Sequence, residues 1–404
     1  MQTLAAYCTA NFGFGAFYAI NNAVLPLWLK AYTHNAILRG LLAGTHTIEA
    51  PIVQPLVGAL SDKLRWKMGR RKPFVVIFGV LAALLFALAP LAALLPQSTN
   101  IVIIAALIFA STSSFNVSQD PYQAWLSDVT VVDQRGKVAA ISQMIALCGQ
   151  ATILMLPIVS VRKIEFASLL LLVTVAITGV LTPDKPYDPA THPNRNSNRI
   201  NLSEIKTHLG RLRQFRLFLL SSLFYGIGTG PVVPNITTFI EQMTKCSDSM
   251  AERLFLLLML SALAASVPAG FMSDTIGFKR TLMISYGFIT SAAIVALVAK
   301  TVPEFVIVMV LAGVGTALSN ASNYPLLLSL VPNDDVGVFT GMQTAALGVG
   351  GPVALVGVGY LINRHLYSSV FITCAVGVII AFIVLIQIKP LKAANEIDAA
   401  EAAS

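Results

Sequence analysis

Charge is what this sequence has least of. Only 11% of its 404 residues are Asp, Glu, Lys or Arg, against about 25% in soluble domains. Hydrophobic residues make up 56% and the mean hydropathy is +0.75, which excludes an ordinary water-soluble enzyme. Cysteine is scarce too: Cys8, Cys148, Cys246 and Cys374 are far apart and three fall in apolar stretches. They indicate neither a disulfide framework nor a metal site, and read as packing residues. No Gly-rich loop followed by Lys-Ser/Thr, no nucleophile elbow and no metal-ligand cluster occurs, so neither an enzyme, an ATP-driven pump nor a cofactor is expected. Coupling must come from an ion or substrate gradient.

What is present is apolar length. Twelve stretches cover residues 4–29, 38–61, 73–95, 101–126, 137–160, 165–182, 216–240, 251–273, 280–300, 303–329, 336–361 and 366–388. At roughly 20 residues per crossing they take up about 240 residues and leave only loops and tails. Backbone groups in lipid must pair within their own segment, and the stretches do not alternate as barrel strands would. The expected fold is therefore all-α, with twelve transmembrane helices in two pseudo-symmetric six-helix bundles. With the N-terminus inside, 19 of the 27 Lys and Arg residues fall on the cytoplasmic side and 8 on the other, which fits the retention of basic residues inside. Both termini are expected to be cytoplasmic, in the cell (inner) membrane. The net charge of +8 reads as an orientation signal and a contact with anionic lipid, not as a nucleic-acid footprint. The first stretch lacks a basic leader and a cleavage site, so it reads as a retained span.

The polar, Pro-rich stretch from Pro183 to Gln214 divides six spans from six. This gives an N-terminal bundle over 1–182, a cytoplasmic linker over 183–215, a C-terminal bundle over 216–390 and a tail over 391–404. Landmarks recur at fixed offsets. Gly13, Gly15 and Asn22 reappear 213 positions later as Gly226, Gly228 and Asn235. GALSD (58–62) reappears 212 later as GFMSD (270–274), Asn116 and Pro121 reappear 204 later as Asn320 and Pro325, and Gly136 reappears 201 later as Gly337. Parallel repeats of this kind build alternating-access transporters. A single bundle of two halves suffices for transport, so a monomer is expected.

GALSDKLRWKMGRRKPF (58–74), its copy GFMSDTIGFKR (270–280) and Asp133-Gln134-Arg135-Gly136 resemble the loop signatures of the major facilitator superfamily. Within it, IVQPLVGALSDKLRWKMGRRKPF (52–74), NVSQDPYQAWLSD (116–128) and FGFGAFYAINNAVLPLW (12–28) are similar to the plant sucrose transporters, their animal relatives and, more distantly, the glycoside-pentoside-hexuronide cation symporters. The resemblance implies sugar uptake coupled to protons. It also implies that Asp62 with Arg70 and Arg71, Asp133 with Arg135, and Asp274 with Lys279 and Arg280 form conformational gates at the cytoplasmic helix ends. Simple retention of positive charge inside would place the basic residues there as well.

Several polar residues lie where lipid penalises them. Glu49 sits mid-span, where a charge costs about 2.5 to 3.5 kcal/mol on insertion scales, and His46 shares its face. Glu49, His46 and the second intramembrane carboxylate, Asp120, are candidates for proton coupling; alternatively, Glu49 is a protonated group hydrogen-bonding a neighbouring helix. Asn116, Gln119, Asp120 and Gln123 form a polar stripe, matched by Asn320, Asn323 and Tyr324. Gln54 belongs with the candidate substrate contacts. So do Tyr18, Asn21 and Asn22 on the first span, and Tyr225 and Asn235 on the seventh. Both of these spans are interrupted by Gly and Pro, a sequence pointer to a transport site. Amides and carboxylates bind sugar hydroxyls as donors and acceptors, yet polar groups also serve as interhelical glue. Trp28, Trp66 and Trp125 fall near predicted span ends and read as interface anchors.

The leading expectation is a secondary transporter importing a sugar or related polar solute with a proton. A proton-coupled exporter of drugs or metabolites and a non-transporting membrane assembly factor of the same fold remain as alternatives.

Overall fold

A computed structural model describes residues 2–63, 69, 71–92, 94–130, 135–183, 213–331 and 336–389. Within helices, some side chains from Thr47 to Lys63 and a few elsewhere lie outside the description. The described residues are helical throughout, without strands. The helices are α1 (Gln2–Ala19), α2 (Leu25–Leu29), α3 (Ala36–Lys63), α4 (Lys72–Ala92), α5 (Gln97–Val129), α6 (Arg135–Met155) and α7 (Ser160–Leu181). They continue with α8 (Arg213–Thr229), α9 (Val232–Thr244), α10 (Asp248–Ile276), α11 (Phe278–Val298), α12 (Val302–Leu328), α13 (Val336–Asn363) and α14 (Ser369–Ile386).

Two predicted spans are broken. Ala19 passes into a π-helical turn over Ile20–Val24 before α2 resumes, so α1 and α2 form one crossing with an extra residue in its turn. The seventh crossing breaks at Gly230–Pro231, between α8 and α9, because proline cannot donate the helical hydrogen bond and crowds the preceding turn. Counted as continuous crossings, ten helical stretches are long and apolar enough to span a membrane.

The outward-facing surface says what surrounds these helices. Leu81, Leu84, Leu88 and Leu91 line one side of α4 in steps of three and four, and all are exposed. Ile372, Val376, Ile379, Ile383 and Ile386 do the same on α14. Stripes of this size are aggregation-prone in water and normal against hydrocarbon.

The interior is closed by small residues. A Cβ on Gly15 would strike the Ala146 backbone, and one on Gly149 would strike the Phe12 carbonyl, so α1 and α6 meet backbone to backbone. Gly226 meets Leu347 in the same way, and Gly350 meets Leu223 and Ile227, joining α8 to α13. These contacts correct the repeat register in the first crossing. Gly15 corresponds to Gly226, 211 positions on, and not Gly13 as the shared Gly-x-Gly spacing suggests; Gly13 packs instead on Leu170, Leu171 and Thr174 of α7.

Two other expectations change. The turn between the fifth and sixth spans lies at Leu156–Val159 and not after residue 160, because Pro157 ends α6 early; Lys163 is therefore inside α7. Trp28 and Trp125 are buried, at 6% and 0% exposure, and not interface anchors. Trp125 packs edge-on to Tyr7, which stacks on Tyr122, while Trp28 packs on Tyr32. Trp66 lies outside the described residues.

The chain forms two compact units. Unit 1 comprises residues 1–195, 233–241 and 246–256; unit 2 comprises 196–232, 242–245 and 257–404.

Candidate proton and substrate site

The polar residues of unit 1 converge where α3 crosses α5. Glu49, midway along α3, is buried at 9% exposure. Its Oε1 accepts a hydrogen bond from Ser113 Oγ at 2.8 Å, and Asn116 Nδ2 approaches Oε2 at 3.4 Å. The same amide nitrogen donates to the His46 carbonyl at 3.3 Å, while Asn116 Oδ1 lies 2.5 Å from His46 Nδ1. This amide orientation is consistent on all sides: a flipped Asn116 would set its oxygen against two others. An amide oxygen only accepts, so with this amide orientation His46 Nδ1 is the donor.

His46 and Glu49 thus share a face, as their spacing requires, but Asn116 joins them. Among the described residues no hydrogen bond runs directly from imidazole to carboxyl. The cluster has two proton arrangements built in. Ser113 Oγ lies within reach of both Glu49 Oε1, at 2.8 Å, and the Phe109 carbonyl, at 2.9 Å. A hydroxyl has one proton to donate, so it serves an ionised Glu49 or, turned to Phe109, accepts from a protonated one.

Aromatic rings hold the cluster in place. Tyr18 donates to Gln119 Oε1 at 2.6 Å and packs edge-on to the His46 ring at 4.9 Å. Phe115, fully buried, stacks on Phe17 at 4.1 Å and meets Tyr18 at 5.2 Å, His46 at 6.0 Å and Phe14 at 5.4 Å. Sequence reasoning missed Phe115, which carries no signal beyond its place beside Asn116.

The other candidates are distributed as follows. Asn21 is buried in the π-helical turn and donates to the Ala43 carbonyl at 3.1 Å, tying the first crossing to α3; Asn22, its neighbour, is partly buried. Turns of this type recur at functional sites. Asp120 is partly buried on α5, whereas Gln123 is exposed, so the stripe leaves the cluster at its far end. Asn235 is buried in α9, within unit 1. In unit 2, Asn323 accepts from Gln343 at 2.8 Å, Asn320 and Tyr324 are exposed, and Tyr225 stacks on Tyr286 at 5.1 Å.

Of the gating residues, Arg71 is buried at the start of α4. Asp274 and Arg280 are exposed, and among the described residues no ion pair joins them; Lys279 instead donates to the Ile386 carbonyl at 2.8 Å, fastening α11 to the end of α14. Arg70 and Asp133, and the side chains of Gln54, Asp62 and Arg135, lie outside the described residues.

Comparison with known proteins gives a consistent result. The sequence profile described as "MFS/sugar transport protein" matches residues 6–363. An uncharacterized MFS-type transporter of Methanocaldococcus jannaschii is 24% identical over 269 residues, a match spanning 65% of this chain and 64% of that protein. Its own length is therefore covered to just under two thirds. The crystal structure of the nucleoside transporter NupG superposes with a TM-score of 0.73 at 14% identity, covering 96% of this chain and 100% of that one. That of a D-xylose-proton symporter superposes with a TM-score of 0.69 at 15% identity, covering 96% and 97%. At these identities the two structures establish a common fold. The long apolar helices, the paired landmarks and the profile match over most of the chain lead to one conclusion: the protein is a multi-pass membrane protein belonging to the MFS/sugar transport protein family.

Proposed function

We propose that this transporter imports a small polar solute, a sugar, together with a proton, by alternating access. The observation that carries the reading is the Glu49 cluster: a buried carboxyl midway along α3, the second span expected from the sequence, whose Ser113 partner has a second acceptor at 2.9 Å. A carboxyl that served only as glue would need one fixed partner. Here loading or removing a proton costs a hydroxyl rotation and leaves no donor or acceptor stranded, which a coupling site requires and lipid otherwise penalises. Glu49 holds the proton, and Asn116 transmits its charge state to His46 and, through Phe115, to Tyr18 and Gln119. Within each unit taken by itself, Asn116, Gln119 and Asp120 in unit 1 and Asn320, Asn323 and Tyr324 in unit 2 are of the donor and acceptor types that sugar hydroxyls need. The π-helical turn at Asn21 and Asn22 and the break at Gly230–Pro231 are where crossings deform without losing a regular helix. The family's name and the fold shared with a D-xylose-proton symporter support the same reading.

The test is uptake into proteoliposomes of labelled sucrose, maltose, glucose, D-xylose and a nucleoside, with and without an inward proton gradient. Accumulation of one sugar that requires the gradient is expected. Accumulation under an outward-directed gradient would favour a proton-coupled exporter. Folded protein that moves none of these compounds in either direction would sink the sugar assignment.

A further inference from the structure

A groove on unit 2 has no part in the site just described. At its top, the turn from α13 into α14 and Met243 near the end of α9 enclose a cavity of about 340 Å³. The polar part of its lining is His365 and the hydroxyls of Tyr367, Ser368, Ser369 and Thr373, with no carboxylate among them. A second cavity, of about 240 Å³, adjoins it at Ile372 and Thr373, which line both. This lower cavity lies between Phe224 and Ile227 of α8 and Val376 and Ile380 of α14, and no charged group lines it. Gly377 forms its floor: a Cβ there would meet the Gly228 backbone and the Phe224 carbonyl, so α8 and α14 touch backbone to backbone. Every lining residue belongs to unit 2.

Two features at the top of the groove point to a ligand. Ser369 is 6% exposed and lines the upper cavity, yet its Oγ has no hydrogen-bond partner among the described residues. A buried hydroxyl left alone is costly. His365 has a left-handed backbone, with φ of 65°, and so does Lys245, two residues after Met243, with φ of 52°. They are the two such non-glycine positions among the described residues, and strain of this kind clusters where ligands bind. Depth then selects the ligand. From Ser369 to Ile380 the groove follows eleven residues of α14, about 16 Å of helix, which is half of a hydrocarbon core of about 30 Å. Its rim includes Ile372 and Val376 of the exposed α14 stripe, so hydrocarbon and not water meets it. Arg364, whose guanidinium lies 5.2 Å from the centre of the Tyr360 ring, stands with Tyr367 at the level of the interface.

We infer that this groove binds an anionic phospholipid, with one acyl chain between α8 and α14 and the phosphate at Ser369 and the turn above it. The hydroxyls of the turn donate to phosphate oxygens, and Arg364 and Lys245 supply positive charge at the same level. An ordinary lipid contact would need neither the unpartnered hydroxyl nor the cavity beneath it. The assignment concerns neither the solute nor the proton.

The experiment photolabels the full chain in phosphatidylcholine nanodiscs doped with a phosphatidylglycerol that carries a diazirine at its chain end, or with a phosphatidylcholine carrying the same chain. Labelled peptides are read by mass spectrometry without any transported solute. The exposed α4 stripe, Leu81 to Leu91, is the reference for ordinary lipid contact. The phosphatidylglycerol probe is expected to label residues 224–227 and 376–380 about ten-fold more than the α4 stripe, the worth of one hydrogen bond to a charged group. The phosphatidylcholine probe is expected to label the two regions nearly equally. Ser369→Ala should remove most of the preference, and Thr373→Trp, which fills the junction of the two cavities, should abolish it, with α4 labelling unchanged. Equal labelling of groove and stripe by both probes would mean annular contact only, and equal enrichment in the groove by both would mean a site blind to charge; either result overturns the inference. A preference unchanged in Ser369→Ala overturns it as well. That variant removes a single hydroxyl and carries the comparison by itself if Thr373→Trp does not fold.

Discussion

The crossing of α3 and α5 in unit 1 carries charge, while its repeat in unit 2, the crossing of α10 and α12, does not. At the offset of 212 set by GALSD and GFMSD, His46 corresponds to Leu258 and Glu49 to Ser261. Ser261 spends its hydroxyl on the Leu257 carbonyl of its own helix, at 2.7 Å. Where unit 1 builds a hydrogen-bonded cluster, unit 2 brings Gly313 against the Leu258 carbonyl and Ser261, and fills the neighbouring space with Ala265, Ala269, Met272, Phe288, Val314, Ala317 and Leu318. The same duplicated frame therefore holds a titratable group in one unit and an apolar, closely packed joint in the other. The function proposed above would place proton chemistry in unit 1.

The frame itself is expected to be equally strict in both units. Gly15→Leu and Gly226→Leu each force a side chain into a facing backbone, and each should cost about 3 kcal/mol or more, seen as loss of monodisperse protein after heating. Tolerance of one and not the other would break the equivalence drawn from the glycine contacts. The next effect concerns the asymmetry. Ser261→Glu places a lone carboxyl in the apolar joint, costing about 2.5 to 3.5 kcal/mol in thermal stability, and should leave transport dependent on Glu49; proton coupling that survived in Ser261→Glu/Glu49→Gln would show that either unit can host the site. Removing Ser113, as Ala, leaves Glu49 with one donor fewer and should cost about 1 kcal/mol, with gradient-driven uptake reduced more than exchange. The smallest difference is between two interhelical hydroxyls. Ser111 donates to the Ala82 carbonyl at 2.8 Å in unit 1, and Ser285 to the Gly315 carbonyl at 2.7 Å in unit 2: the same helix contact bridged from opposite partners. Ser111→Ala and Ser285→Ala should each cost about 0.6 kcal/mol in thermal stability and leave transport intact.

The sequence displayed the membrane class and most of the crossings plainly, because hydropathy over 20 residues is a large, additive signal. It also placed His46 and Glu49 on one face, since that depends only on helical spacing. Three features depend on tertiary contact and were hidden. The repeat register in the first crossing slipped by two residues, because Gly-x-Gly looks alike at either alignment until α6 and α13 are seen to touch Gly15 and Gly226. Asn116 resembled one member of a substrate stripe, and only the crossing of α3 with α5 shows it bridging the two titratable groups. Lys163 falls between the spans read as 137–160 and 165–182, although Pro157 marks the turn six residues before it. Its partner Glu252 lies 89 positions away, a distance no local pattern spans.

The central claim, that the Glu49 cluster couples transport to protons, is tested most directly by comparing the wild type with Glu49→Gln in two assays on the same proteoliposomes: accumulation of the transported sugar under an inward proton gradient, and sugar exchange at equal pH on both sides. Gln keeps the size and hydrogen-bonding reach of the side chain but carries no exchangeable acidic proton. The account predicts that accumulation is lost while exchange continues. Accumulation persisting at the wild-type level in Glu49→Gln would contradict it and move the coupling site elsewhere in the protein.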